Sequence, residues 1–419
     1  MLLHRTRNLS HALRIDIGSC LAVVSLLVNQ SSVVADSGRI EIGQKDLQDP
    51  PYRIEVSGSY ILTSPLVVTQ AGANAIWVMA DHVELDLNGF TIFGPGNTSV
   101  SAIYQSAGNR HLKVRNGNIE NWAGGTGAAM GVNAAGAQNT LEDLLACRSA
   151  RGFYSGRDSM VRRCIAFSNA SAVEAYGIRV GDGSQVQQCI VRKSRSTGHN
   201  SHGILTGAGC VVSDCVVSEL SGAAGFSIYG INAGAASRLI RCVSYACSNA
   251  TTVYGLAVGE GGSIRECVST YHAASSSAQG FSGGNFAIVQ DSLAYGNDVG
   301  IKVANDALIQ GCMAAEADAD GFQFTSRCRL ENNYAYSNAW GGFSTAGYQN
   351  QLWENDAIGN YIGFYALMNH SNFLARNTGL LNTTTNYSIA AGNSLGTLRT
   401  NPGRDFTVEE PWANFSINP

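Results

Sequence analysis

The sequence predicts an all-β chain wound as a right-handed parallel β-helix, a solenoid of about twelve rungs with three short strands in each. Three observations predict it. A glycine followed by an alternating strand recurs along the chain, a second strand ending in a Cys or Asn marker recurs in step with it, and the composition suits tight, repetitive β-structure.

The glycine column reads Gly131, Gly152, Gly177, Gly203, Gly230, Gly255, Gly280, Gly300, Gly321, Gly342 and Gly363, at intervals of 20 to 27 residues. Units such as Gly177-Ile-Arg-Val180 and Gly300-Ile-Lys-Val303 alternate with the period of a strand, which excludes a helical solenoid. The marker column reads Cys164, Cys189, Cys215, Cys242, Cys267, Asp291 and Cys312, then Asn333, Asn355 and Asn377, each three residues after a Val, Leu or Ile. A small or aliphatic residue usually follows two positions on, and a partial Asn column stands at Asn169, Asn338, Asn360 and Asn382. Stacked at about 4.8 Å, each strand pairs with its copies above and below. Identical amides in neighbouring rungs then form ladders.

The 419 residues include 48 Gly and only 7 Pro, and no Ser/Pro-rich or charged linker divides them. Charged residues are 14% and hydrophobic residues 45%, which excludes disorder. A net charge of −4 without a basic patch excludes nucleic acid as a partner. Residues 1–35 have the form of a signal peptide: Arg5, Arg7 and Arg14, an apolar stretch from Ile17 to Val28, and Val33-Val34-Ala35 before Asp36. The apolar stretch is too short to span a bilayer. The mature chain is therefore expected to be secreted or otherwise extracytoplasmic and to lack a membrane span. Its divisions are an N-terminal cap at 36–56, the β-helix at 57–395, and a C-terminal tail or cap at 396–419, since bare end rungs expose strand edges.

Eleven cysteines in an exported chain invite a disulfide reading. Their columnar spacing opposes it, because stacked neighbours project parallel Cβ vectors. The expectation is a ladder of buried free thiols serving as small hydrophobes. No zinc spacing occurs, and no metal site is predicted. Asp291 is read as a turn residue.

Asn333-Tyr-Ala-Tyr-Ser-Asn338 followed by Gly342-Phe343 resembles the parallel β-helix repeat of the pectate-lyase-like superfamily. Gly58-Ser-Tyr-Ile-Leu-Thr63 with Ala80-Asp-His-Val-Glu-Leu-Asp-Leu-Asn-Gly-Phe-Thr-Ile92 is similar to the opening rungs of secreted bacterial β-helix proteins. The resemblance covers about residues 50–395. It implies the fold and leaves the activity open, since that superfamily includes lyases, hydrolases, epimerases and adhesins.

Within each Gly-φ-x-φ strand the residue two after glycine faces solvent. That column contains Asn133, Tyr154, Arg179, Leu205, Asn232, Ala257, Ser282, Lys302, Gln323, Ser344 and Tyr365, and no carboxylate. The acid–base carboxylate pair of inverting hydrolysis is missing from it. The residue just before the glycine is Tyr176, His202, Tyr229 and Tyr254 in four successive rungs, beside long loops at 194–202 and 219–229. Aromatic faces next to Arg179 and Asn232 suit a sugar chain.

The function read from this is an exported protein that binds an extracellular polysaccharide and modifies it, lyase- or epimerase-like on uronates. The alternative is a non-catalytic surface, adhesin-like or structural protein. The catalytic candidates are His202, Arg179 and Tyr229; the substrate-binding candidates are Tyr176, Tyr254, Asn232 and His199. Arg179 or Asn232 would neutralise a carboxylate while His202, His199 or Tyr229 took the C5 proton. No cofactor is indicated. Asp182 and Glu260 lie in equivalent turns three rungs apart, about 14 Å, too far to share a calcium ion. Ile165, Ile190, Val216, Val243 and Val268, one after the cysteines, would offer a stripe for self-association if they face outward.

Overall fold

The structure is a computed structural model, and it describes residues 38–124, 129–367, 371–400 and 410–417. Residues 1–35, expected to be a signal peptide, lie outside them. Strands stack in parallel in a right-handed coil, the hand that twisted strands impose on parallel crossovers. Among the described residues the one helical element is a 3₁₀ turn, Gln44–Leu47. No helix there is long and apolar enough to cross a membrane.

The glycine strands form sheet I, 15 strands deep. Tyr52–Ile54, Ile76–Val78 and Ile103–Gln105 precede the glycine column, and Thr385–Ile389 follows it. The residues after the glycines align in one ladder, from Val132 through Phe153, Ile178, Ile204, Ile231, Leu256, Phe281, Ile301, Phe322 and Phe343 to Phe364. All are fully buried. The glycines face inward with them, and a side chain there has no room. A Cβ on Gly177 would sit 2.2 Å from Val191 Cγ1, and one on Gly203 would sit 2.3 Å from Val217 Cγ1.

Two further columns, sheets II and III, carry the marker strands; Leu112–Glu120 and Thr140–Cys147 run through both. One residue in the left-handed region turns the chain between them in each rung: Gln188, Asp214, Arg241, Glu266, Asp291 and Asn332, with φ from 49° to 55°. The next side chain points inward and closes the corner. This corrects the alignment at one rung. Ile264 pairs with Val289, so Ser292 fills the Cys column and Asp291 is the turn residue before it; Ala294 takes the small position.

The corners also correct the reading of the thiols as mere small hydrophobes. All ten described cysteines are free, and nine of them are buried. Cys215 Sγ donates to Ser213 O (3.2 Å) and Val186 O (3.6 Å), and accepts from Cys189 N at 3.5 Å. Each thiol thus satisfies backbone groups that the bend frees. Burial pushes Cys247 and Cys312 up to about 12. Higher in the stack asparagine does the same work more strongly. Asn355 Nδ2 donates to Leu330 O and to Asn377 Oδ1, while its Oδ1 accepts from the Asn333 backbone N–H and Nδ2, all at 2.9–3.0 Å. Asn414, in the C-terminal segment, continues this ladder by accepting from Asn377.

The Cys+1 column faces outward and is half-buried. Its register runs Leu145, Ile165, Ile190, Val216, Val243, Val268, Leu293, Met313 and Tyr334.

Candidate functional site

The outer face of sheet I has two outward columns, because the chain bends at each inward glycine. One is the residue before the glycine and the other the second residue after it. Register places Tyr176, His202, Tyr229 and Tyr254 side by side in consecutive strands, with Gln279 next. Parallel strands hold identical positions one rung apart, which is the stacking distance of flat rings. His202 stacks on Tyr229 (centroids 4.9 Å apart, planes 6° apart), and Tyr229 on Tyr254 (4.7 Å, 11°).

The first member of the column behaves differently. Tyr176 is 1% exposed, covered by guanidinium groups from its two flanking positions. Arg151 lies 4.9 Å from its ring centroid and Arg179 5.7 Å. Arg179 also lies 5.6 Å from the Tyr154 ring. Burial raises the Tyr176 phenol to about 12, and its hydroxyl points at Met130 Sδ, 3.3 Å away. Tyr176 therefore supports two cations rather than offering a free face. Tyr229 and Tyr254 remain half-exposed. Burial also raises the Tyr229 phenol, which disfavours it as a base.

Sequence reasoning missed Glu174. It stands three residues before Gly177, where the strand alternation had not been followed. Its carboxylate lies 3.4 Å from His202 Nε2 and 3.6 Å from Arg179 Nη1. The hydrogen bond to His202 is the main reason that its pKa is lowered. Arg151 was missed too, although it occupies the Tyr176 column one rung earlier; its Nε donates to Glu174 O at 2.8 Å. Two guanidinium groups face one carboxylate, so the cluster carries a net positive charge. His202 is 4% exposed, and its Nδ1 is buried without a hydrogen-bond partner.

Asn232 lies in the outward column next to Leu205 and Ala257. His199 is apart from the ladder, exposed in the loop, with its ring 5.4 Å from Phe226. The loops form an ordered wall because they stack as well: Ala170–Ser171 pairs with Arg195–Ser196, and bridges continue to Ser221 and Ser248. Asn200 Oδ1 accepts from Ser227 N at 2.9 Å, tying two loops together.

No protein-family model and no curated protein sequence matches the chain. Among solved structures it is similar to the A-module of the mannuronan C-5 epimerase AlgE4 of Azotobacter vinelandii, with TM-score 0.40 and 10% identity over 76% of this chain and 89% of that one. It is also similar to the catalytic unit of a thermostable GH87 alpha-1,3-glucanase from Streptomyces thermodiastaticus strain HF3-3, with TM-score 0.41 and 11% identity over 82% and 70%. Pectate lyase Pel9A gives TM-score 0.36 and 13% identity over 81% and 72%. Likeness at this level carries nothing on activity, which has to be argued from the outer face of the β-helix itself.

Proposed function

We propose that this β-helix acts outside the cytoplasm and binds an extended, anionic polysaccharide along the outer face of sheet I. The observation that carries the reading is the stacked His202–Tyr229–Tyr254 ladder ending in the Arg151–Tyr176–Arg179 cation cluster. Sugar units repeat at about the rung spacing, so successive units meet the edges and hydroxyls of successive stacked rings. Arg179 is exposed and supplies charge-assisted hydrogen bonds to an acidic sugar, and Asn232 fixes orientation. The test is binding of the purified chain to a panel of acidic and neutral polysaccharides. Tyr229→Ala and Tyr254→Ala should each weaken acidic-glycan binding by about 1 kcal/mol. Arg179→Ala should reduce acidic binding more than neutral binding. Unchanged binding in both Tyr variants overturns the reading.

A second reading, turnover of a uronate, is favoured by the pairing of Glu174 with His202 Nε2 and Arg179. Nδ1 is buried, so the ring nitrogen that takes the C5 proton is Nε2, on the side of the half-exposed Glu174, while Arg179 and Asn232 stabilise the charge moving onto the uronate carboxylate. Elimination then breaks the C4–O4 bond and leaves an unsaturated uronate; epimerisation returns a proton to the opposite face of C5. Unsaturated product, or deuterium entering C5 in heavy water, supports turnover if His202→Ala abolishes it without abolishing binding. Binding without either product leaves a non-catalytic, adhesin-like protein. The outward Ile165–Val268 stripe supports self-association, read by sedimentation of Val216→Lys against the parent chain.

A further inference from the structure

The same face changes character four rungs above Tyr254. From Gly280 onward the rungs shorten to 20 or 21 residues, and the corner before each glycine strand comes to the surface. There Trp340 and Tyr361, 44% and 40% exposed, stack with centroids 5.1 Å apart and planes 22° apart. Tyr361 covers one face of the indole. On the other side lies Ala319, whose carbonyl accepts from Trp340 N at 3.0 Å, and a methyl group cannot cover an indole. Beneath it, Ala319 N donates to Asp298 O at 2.8 Å. Trp340 therefore forms the roof of a notch with Ala319 as its floor, and Asp298 stands two rungs below the ring, about 10 Å away. Asp318, beside Ala319, is exposed.

We infer that this notch is a second carbohydrate site and that it takes a neutral sugar residue. The C–H face of a pyranose stacks on the open indole face, and its hydroxyls donate to the exposed Asp318 carboxylate, while the Asp298 carboxylate is held by Ala278 N at 2.6 Å and adds negative charge only. Charge selects the occupant. Both nearby carboxylates repel a uronate, in contrast to the Arg151–Arg179 end of the face. Asp320, close by in sequence, does not contribute, because its carboxylate accepts from Gly341 N (3.1 Å) and Ser344 Oγ (2.6 Å). The site is independent of the anionic one, and either can fail alone.

The test titrates the full chain with xylohexaose, cellohexaose, mannohexaose and a uronate hexamer, reading tryptophan fluorescence and calorimetry. At least one neutral hexamer should bind. Trp340→Ala should weaken it about tenfold or more, while Trp340→Phe keeps most of the affinity. Ala319→Leu fills the notch without removing any recognition group and should abolish binding at unchanged thermal midpoint. Asp318→Asn should weaken it a few-fold. The inference is overturned if no neutral hexamer binds, if the uronate hexamer competes at Trp340, or if Ala319→Leu and Trp340→Ala bind as the parent chain does.

Discussion

The two halves of the stack solve one corner problem with different chemistry. Up to about Gly280 the rungs are mostly 25 to 27 residues long, carry an extra loop wall, and close the marker corner with thiols. Above it they shorten to 20 or 21 residues, and after Ser292 and Cys312 amides take over the marker corner from Asn333 onward. A thiol at 3.1–3.6 Å from carbonyls donates weakly. An amide both donates and accepts, so each Asn links three rungs, as Asn355 links Leu330, Asn333 and Asn377. The lower half is therefore held mainly by its packed core, and the upper half also by a continuous polar spine. The outer face of sheet I follows the same division, cationic near Arg151 and Arg179 below and anionic near Asp298 and Asp318 above.

The largest expected effect tests the spine. Asn355→Leu leaves the buried Asn333 N–H without its partner and removes the side-chain donations to Leu330 O and Asn377 Oδ1, which should cost about 3 kcal/mol or more. The corresponding thiol change, Cys215→Ala, should cost only about 1 kcal/mol. Denaturant midpoints of the two variants check the difference, and equal losses would end the comparison.

The junction supplies a pH test. His272 occupies the second corner column directly below Asn297, its Nδ1 accepting from Cys247 N at 3.2 Å as an Asn oxygen would. Burial lowers its pKa to about 4 from the ordinary 6.5. The folded state holds it neutral while the unfolded chain protonates it below 6.5. Its contribution is therefore fully present above pH 6.5 and declines as pH falls towards 4, by at most about 3 kcal/mol. His272→Asn should abolish that part of the slope between pH 6.5 and 4, measured by unfolding at several pH values.

Smaller still is the effect on reactivity. In the folded chain Cys164, Cys189, Cys215, Cys242 and Cys267 should resist alkylation, because burial excludes the reagent. In denaturant without reductant all five should label. Labelling that requires prior reduction would contradict the free thiols of the lower half.

The stacking columns were legible because a β-helix repeats the same environment in every rung: the glycine column, the Cys-to-Asn column and the Tyr176–Tyr254 column all align in register. The slip at Asp291 arose because Ile288 and Val289 are both apolar, and one residue of offset is invisible until the hydrogen-bond register is known. Arg151 stands just before Gly152 and could have been found by spacing; Glu174 lies outside the repeating columns, and only the approach of whole side chains brings it to His202 and Arg179.

The amino-acid sequence by itself determined the period, the alternation that buries one side of each strand, and the residue types able to close a bend, since these depend on local geometry repeated from rung to rung. Only the tertiary structure decided which outward groups meet. Stacking at rung distance turned a Tyr/His column into a ring ladder, buried Tyr176 beneath two guanidinium groups, and set Trp340 over Ala319, because those outcomes depend on the size and charge of the neighbours above and below.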